Sequence, residues 1–261
     1  MTPRQYFADK TCLCINMESE KSRRAQVEAN FADVFGELKF IEPFKQGTLE
    51  EQGLMFKHEL VNARLHTDEL GLLSRLHQAE AIDDVEFLAR TLSDRHKFGA
   101  YTAEQFGKYR SLYMTTLNVL QSFLQSDMKS LILMEDDAYP RSKFLDTDLH
   151  IPEADILVWG GACNSLSKDN KSFALGKQYA FKKLQRRKYA TFTTCYEFTR
   201  RGADILLNEY NSRHPMPTDI IWCYAFRKCE AYTMSPMGII QKGESTVVDR
   251  QLQMLGGELD D

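Results

Sequence analysis

Apolar runs of strand length recur along the chain, and several end in an abrupt change of character. Thr11-Cys12-Leu13-Cys14-Ile15-Asn16-Met17 reads as a first strand buried on both faces, because short apolar runs bounded by polar residues suit a sheet interior. Glu18-Ser19-Glu20 leads into a helix from about Lys21 to Val34, with Val27 and Phe31 on its apolar stripe. Leu38-Lys39-Phe40-Ile41 is a second short strand, closed by Pro43. A strand, helix, strand opening is a βαβ unit and predicts a parallel sheet. Residues from about Leu49 to Arg95 are polar, helical in propensity and free of β-branched clusters, which predicts two or three surface helices inserted between sheet elements.

From Thr102 to Gln125, Phe106, Tyr109, Leu112, Tyr113, Leu117, Leu120 and Leu124 repeat at helical spacing, so this is a long amphipathic helix. Ser130 to Met134 is a buried strand that stops at Glu135-Asp136-Asp137. Ala154 to Trp159 is another, ending in Gly160-Gly161, which either turn the chain or let a ligand approach the backbone. Tyr189 to Phe198 alternates aromatic and Thr residues as strands do. Arg200 to Tyr210 is helical, and Pro215-Met216-Pro217-Thr218-Asp219 opens a further helix with Thr218 or Asp219 as its N-cap. Short strands near Tyr232 to Met234 and Gly238 to Gln241 follow, and the tail from Gln251 to Asp261 is polar. Without repeats or a low-complexity linker, the expectation is one α/β domain.

Composition narrows the function classes. At 261 residues, 43% apolar, the chain can bury a sizeable core. A net charge of −4 gives no global pull toward nucleic acid or anionic lipid, so any polyanion contact must be local. Cys12, Cys14, Cys163, Cys195, Cys223 and Cys229 form no CxxC pair and sit mostly in apolar runs, as reduced core residues do. The start of the chain lacks the apolar core of a signal peptide, and no stretch has the length of a membrane span. A cytoplasmic protein with no stable membrane insertion is expected.

The candidate chemistry begins at Glu135-Asp136-Asp137. Ligands of open α/β sheets sit beyond the carboxyl ends of the strands, and these acids occupy such an end. Three adjacent carboxylates repel one another and are costly to desolvate without a cation. A hard divalent ion, Mn2+ or Mg2+, that also bridges phosphate oxygens is the usual partner; a solvated acidic turn is the plainer alternative. Lys182, Lys183, Arg186 and Arg187, interleaved with Tyr179, Phe181 and Tyr189, suit a phosphate-bearing acceptor or form a solvated basic hairpin.

Several segments, in order from about Thr11 to Ser245, resemble the glycosyltransferases of family 25, which include lipopolysaccharide-core and collagen galactosyltransferases. The pieces are Ile15-Asn16-Met17 with Arg23-Arg24, Gly107-Lys108-Tyr109-Arg110-Ser111, Leu131 through Asp137, and Asp155 through Gly160. Tyr196 through Ala203, Pro217-Thr218-Asp219, and Gln241 with Ser245 complete the series. The resemblance implies a GT-A fold: a Rossmann-like, mixed and mainly parallel sheet flanked by helices, with the insertion above. It implies a metal-dependent, inverting transfer from a nucleotide-sugar, most simply a UDP-sugar, to a glycan or lipopolysaccharide core. Asp137 would ligate the metal, Asp136 face the ribose or sugar, and Glu135 orient both. Asn16, Arg23, Arg24, Gly160, Gly161, Gln241 and Ser245 would line the donor, and Asp219 would take the acceptor proton. Glu197 is a second candidate base, because a carboxylate stands there in an otherwise apolar strand.

The chain also departs from the family. Gly107-Lys108-Tyr109-Arg110-Ser111-Leu112 and Phe192-Thr193-Thr194-Cys195-Tyr196 lack the Cys and His residues of the corresponding motifs. Sugar and acceptor are therefore left open by the resemblance. The basic segment keeps a phage-type DNA-modifying glycosyltransferase, acting on a hydroxymethylated base, as an alternative. A nucleotidyltransferase and a non-catalytic nucleotide-sugar-binding domain are further ones, although no glycine-rich phosphate loop follows the first strand.

Overall fold

The computed structural model describes residues 1–45, 103–141, 143–165, 179–184, 188–212, 218–235 and 237–241. The expected insertion (49–95) and the polar tail (251–261) lie outside them. Helix α1 (Pro3–Phe7) precedes strand β1 (Thr11–Ile15), helix α2 (Lys21–Phe31) and strand β2 (Glu37–Ile41). Helix α3 (Ala103–Gln125) leads to β3 (Ser130–Glu135), β4 (Ala138–Pro140) and β5 (Ile156–Ser165). Then come β6 (Ala180–Lys183), β7 (Lys188–Thr199), α4 (Arg200–Asn211), α5 (Thr218–Phe226), β8 (Ala231–Ser235) and β9 (Ile239–Gln241).

The main sheet has the order β2-β1-β3-β7-β5-β8-β6, with β9 joining β5 and pairing β4. β1 is parallel to β2 and β3, and β5 is parallel to β8, whereas β7 runs antiparallel between β3 and β5 and β6 closes the edge antiparallel. The sheet is thus mixed, mostly parallel and flanked by helices, compatible with a Rossmann-like fold.

Both faces are covered, and β3 shows how. Side chains alternate across a strand, so Leu131 and Leu133 join one core with Tyr113, Leu120, Phe123, Leu206 and Trp222 of α3, α4 and α5. Ile132 and Met134 join the other with Phe7 of α1, Val27 and Phe31 of α2, and Phe144. Each such fully buried apolar side chain stabilises the fold by about 1.5–3 kcal/mol. That two-sided burial explains why the sequence reads as a continuous apolar run rather than an alternation.

Several boundaries differ from expectation. β1 stops at Ile15, one residue short of the last cross-strand bond, in which the Asn16 N–H donates to Ile41 of β2, while the Asn16 side chain turns to the Glu20 carbonyl and Asp136. α2 ends at Phe31, although Val34 and Phe35 remain buried in the turn that follows. β5 does not end at Gly160-Gly161. It runs on to Ser165 with register shifts on either side of Gly160, so the glycines lie in an irregular, bulged stretch of strand. Thr218 and Asp219 are the first two residues of α5 rather than residues outside it. Among the described residues no helix is long and apolar enough to cross a membrane.

Candidate functional site

Parallel pairing of β1 with β3 sets Ile15 beside Glu135, so both strands release their next residues at the same sheet edge. The residue after Ile15 is Asn16, which is buried, and the residue after Glu135 is Asp136. They meet: Asn16 Nδ2 donates to Asp136 Oδ2 at 2.9 Å and to the Glu20 carbonyl at 3.3 Å. Asn16 is therefore held by the end of β2, the approach to α2 and the acid it presents. Arg23, in the first turn of α2, donates from Nη1 to Asp136 Oδ1 at 3.2 Å, with Glu20 Oε2 3.8 Å from its Nε. Both oxygens of Asp136 thus carry donors from the β1–α2 segment.

Asp137 is placed differently. Its Oδ1 is buried and meets no hydrogen-bond donor among the described residues. Burial first, and the neighbouring Asp136 carboxylate second, push its pKa up to about 6, against the opposing pull of Arg23 and its own backbone N–H. Glu135 accepts from Gln241 Nε2 at 3.1 Å, and Gln241 is the end of β9, in register with Ala138 of β4. The cluster is thus built from β1, α2, β3 and β9.

The two arginines separate. Arg24 lies over the Phe40 ring, 4.4 Å from its centroid, and pairs with Glu28 at 3.2 Å, so it does not join the acidic cluster. The sequence carried a signal for this: Arg23, Val27 and Phe31 follow one another at spacing four, the stripe that faces the sheet, whereas Arg24 shares a stripe with Glu28. Gly160 supports the site indirectly. A Cβ there would lie 2.7 Å from the Ile239 carbonyl oxygen, so the missing side chain lets β9 approach β5 and deliver Gln241. The close partner is protein backbone, not a ligand. Gly161 shares that irregular stretch of β5. Ser245, Arg186 and Arg187 lie outside the described residues, as does the side chain of Asp219. Trp222, one turn on from Asp219, packs on Tyr196 with ring centroids 3.8 Å apart, and Tyr196 faces Leu133 of β3.

Glu197, Lys182 and Lys183 lie away from the acidic cluster. Glu197 sits opposite Ile132, three residues back from Glu135, which is roughly 10 Å along the strand. It is buried, with the partly exposed Lys10 Nζ 3.1 Å from Oε1, so it pairs with that cation and stands apart from the acidic cluster. Lys182 and Lys183 lie on β6, four strands from β3 and roughly 19 Å across the sheet. Lys183 pairs with Glu230 at 2.6 Å. Lys182 and Lys183 are not beside the acids because β7, β5 and β8 lie between β6 and β3. Lys10 went unread: an acid in an apolar strand signals a partner, but nothing local to it says which cation.

No protein-family model and no curated protein sequence matches the chain. The site's chemistry therefore rests on its own geometry. Among the described residues no group of three or more His, Cys, Asp or Glu side chains is placed to hold a metal ion. Mg2+-type sites need fewer, because one or two carboxylates with waters and substrate phosphates complete them. The spare buried oxygen of Asp137 fits that donor set, and Asp136 stands next to it.

Proposed function

We propose that the chain is a metal-dependent glycosyltransferase of GT-A type, using a nucleotide-sugar donor, most simply a UDP-sugar, with Mn2+ or Mg2+. The observation that carries this reading is the buried, unpartnered Asp137 Oδ1 beside a fully engaged Asp136 at the carboxyl edge of two parallel strands. A buried carboxylate oxygen without a donor is costly, and a hard cation is the partner that removes the cost.

Asp137, with Asp136 next to it, would hold the metal. When bound, such an ion neutralises the charge that develops on a departing diphosphate. The residues of the chain do the rest. Asn16 fixes Asp136, and Gln241 fixes Glu135, so neither acid reorients when the donor arrives. Arg23, half-exposed, is a cation at the rim, suited to the nucleotide side of the donor. Asp219 takes the proton of the attacking hydroxyl in this reading, supported by its place in the first turn of α5, a helix packed over the Tyr196 face of β7. The acceptor is a glycan or lipopolysaccharide-core hydroxyl. The DNA-modifying reading draws nothing from Lys182 and Lys183, which stand away from the acidic edge, and rests on Arg186 and Arg187 outside the described residues.

The test is donor turnover, read as release of UDP from a panel of UDP-sugars with Mn2+ and candidate glycan acceptors. Asp137→Asn should abolish release and Asp219→Asn should abolish it while preserving donor affinity. Undiminished turnover in Asp137→Asn would remove the assignment.

A further inference from the structure

At the other end of β3 lies a cavity that the acidic cluster does not use. It has a volume of about 370 Å³ and lies between α1, the start of β3 and the segment before β5. That volume falls at the low end of small-molecule sites. Its floor carries the ion pair of a partly exposed Lys10 with the buried Glu197. Lys10 is committed: Nζ donates to Ser130 Oγ at 3.1 Å, lies 3.1 Å from Glu197 Oε1 and sits 4.7 Å above the Tyr6 ring centroid. Glu197 is not. Its Oε2 is buried and meets no donor of hydrogen-bonding geometry among the described residues, on a residue only 4% exposed. The Tyr6 phenol, itself in the wall, is pushed well above its ordinary pKa by burial, then by the Glu197 charge and by a hydrogen bond to that carboxylate, so Oε2 alone is left over. Ser130 accepts from Lys10, which leaves its own O–H to donate.

These facts define a ligand. Around the wall Lys10 and Lys129 stand against Glu197, Glu153 and Asp155, so the charges nearly balance and neither a bare cation nor an anion is strongly favoured. A group that both donates and accepts fits Oε2 and the Ser130 hydroxyl together, which describes an alcohol. Leu157, Ile151 and Pro152 supply apolar wall for the carbon faces between hydroxyls. We propose that this cavity binds a neutral polyhydroxylated ligand of about monosaccharide size, with one hydroxyl donating to Glu197 Oε2. The site is separate from the acidic cluster, and the two readings stand or fall independently.

The experiment is saturation-transfer NMR on the full chain with three probes: glucose, galactose and N-acetylglucosamine. A probe of about a dozen heavy atoms should bind with a Kd on the order of 1 mM. Glu197→Gln puts an amide N–H where the acceptor was and should weaken binding about tenfold or more. Ala154→Phe, at the half-buried wall, fills the cavity without touching the ion pair and should abolish the signal even where Glu197→Gln folds poorly. Asp137→Asn should leave the signal unchanged, which separates this cavity from the donor site. Absence of transfer from all three sugars, binding that survives Ala154→Phe, or inorganic phosphate taking their place in the cavity would overturn the proposal.

Discussion

Replacing Asp137 by Asn should stabilise the metal-free protein by a margin that opens above about pH 4 and is complete by neutral pH. The carboxyl's ordinary value is 3.8, and burial beside Asp136 carries it to about 6. At about 1.4 kcal/mol per pH unit, ionising it in the folded chain costs about 3 kcal/mol more than in the unfolded chain. The sign follows from the raised value. The folded state binds the proton more tightly, so the favourable contribution is complete below pH 3.8 and is lost as pH rises through about 6. An Asn side chain cannot ionise and escapes that loss. The variant should therefore match the wild type near pH 4 and exceed it by up to about 3 kcal/mol at pH 7.5. For a chain of this size that is a Tm gain of roughly 6–12 °C. The assay is thermal unfolding followed by circular dichroism in EDTA across pH 4 to 8. Added Mn2+ should then raise the wild-type Tm and leave the variant's unchanged. A Tm gap that is flat with pH, or a variant less stable than the wild type at pH 7.5, would refute the reasoning.

Other substitutions probe the frame. Lys10→Met leaves Glu197 buried without its cation and should cost about 3–5 kcal/mol in urea unfolding, most of it recovered in the double variant with Glu197→Leu. Gly202→Ala places a Cβ 2.3 Å from the Asp155 carbonyl oxygen, a backbone atom that cannot swing aside, and should cost about 1–3 kcal/mol by the same measurement. Arg23→Gln removes a half-exposed partner of Asp136, so stability should move by less than about 1 kcal/mol. Donor affinity, measured by calorimetry, should weaken about tenfold or more in that variant.

The parts of the fold legible in the sequence were those set by local periodicity. The apolar run of β3, its break at Glu135, the Arg23–Val27–Phe31 stripe and the long helix α3 all announce themselves within a few residues. Gln241 was legible only through the resemblance, and its bond to Glu135 depends on β9 docking against Gly160, a contact between segments far apart in the chain. The pairing of Lys10 with Glu197 was invisible for the same reason. Sequence shows that a buried acid needs a partner, but strand order decides which cation arrives. Strand order also misled: Lys182 and Lys183 look close to the chemistry along the chain, yet β6 is the outermost strand on its side of the sheet.

The most direct measurement is calorimetric titration of UDP-sugars into the metal-free wild type and Asp137→Asn, each with and without Mn2+. Binding should appear in the wild type only when Mn2+ is present and should be absent from Asp137→Asn under both conditions. Donor binding of equal strength in Asp137→Asn, or binding indifferent to Mn2+, would contradict the assignment of Glu135-Asp136-Asp137 as a metal-dependent nucleotide-sugar site.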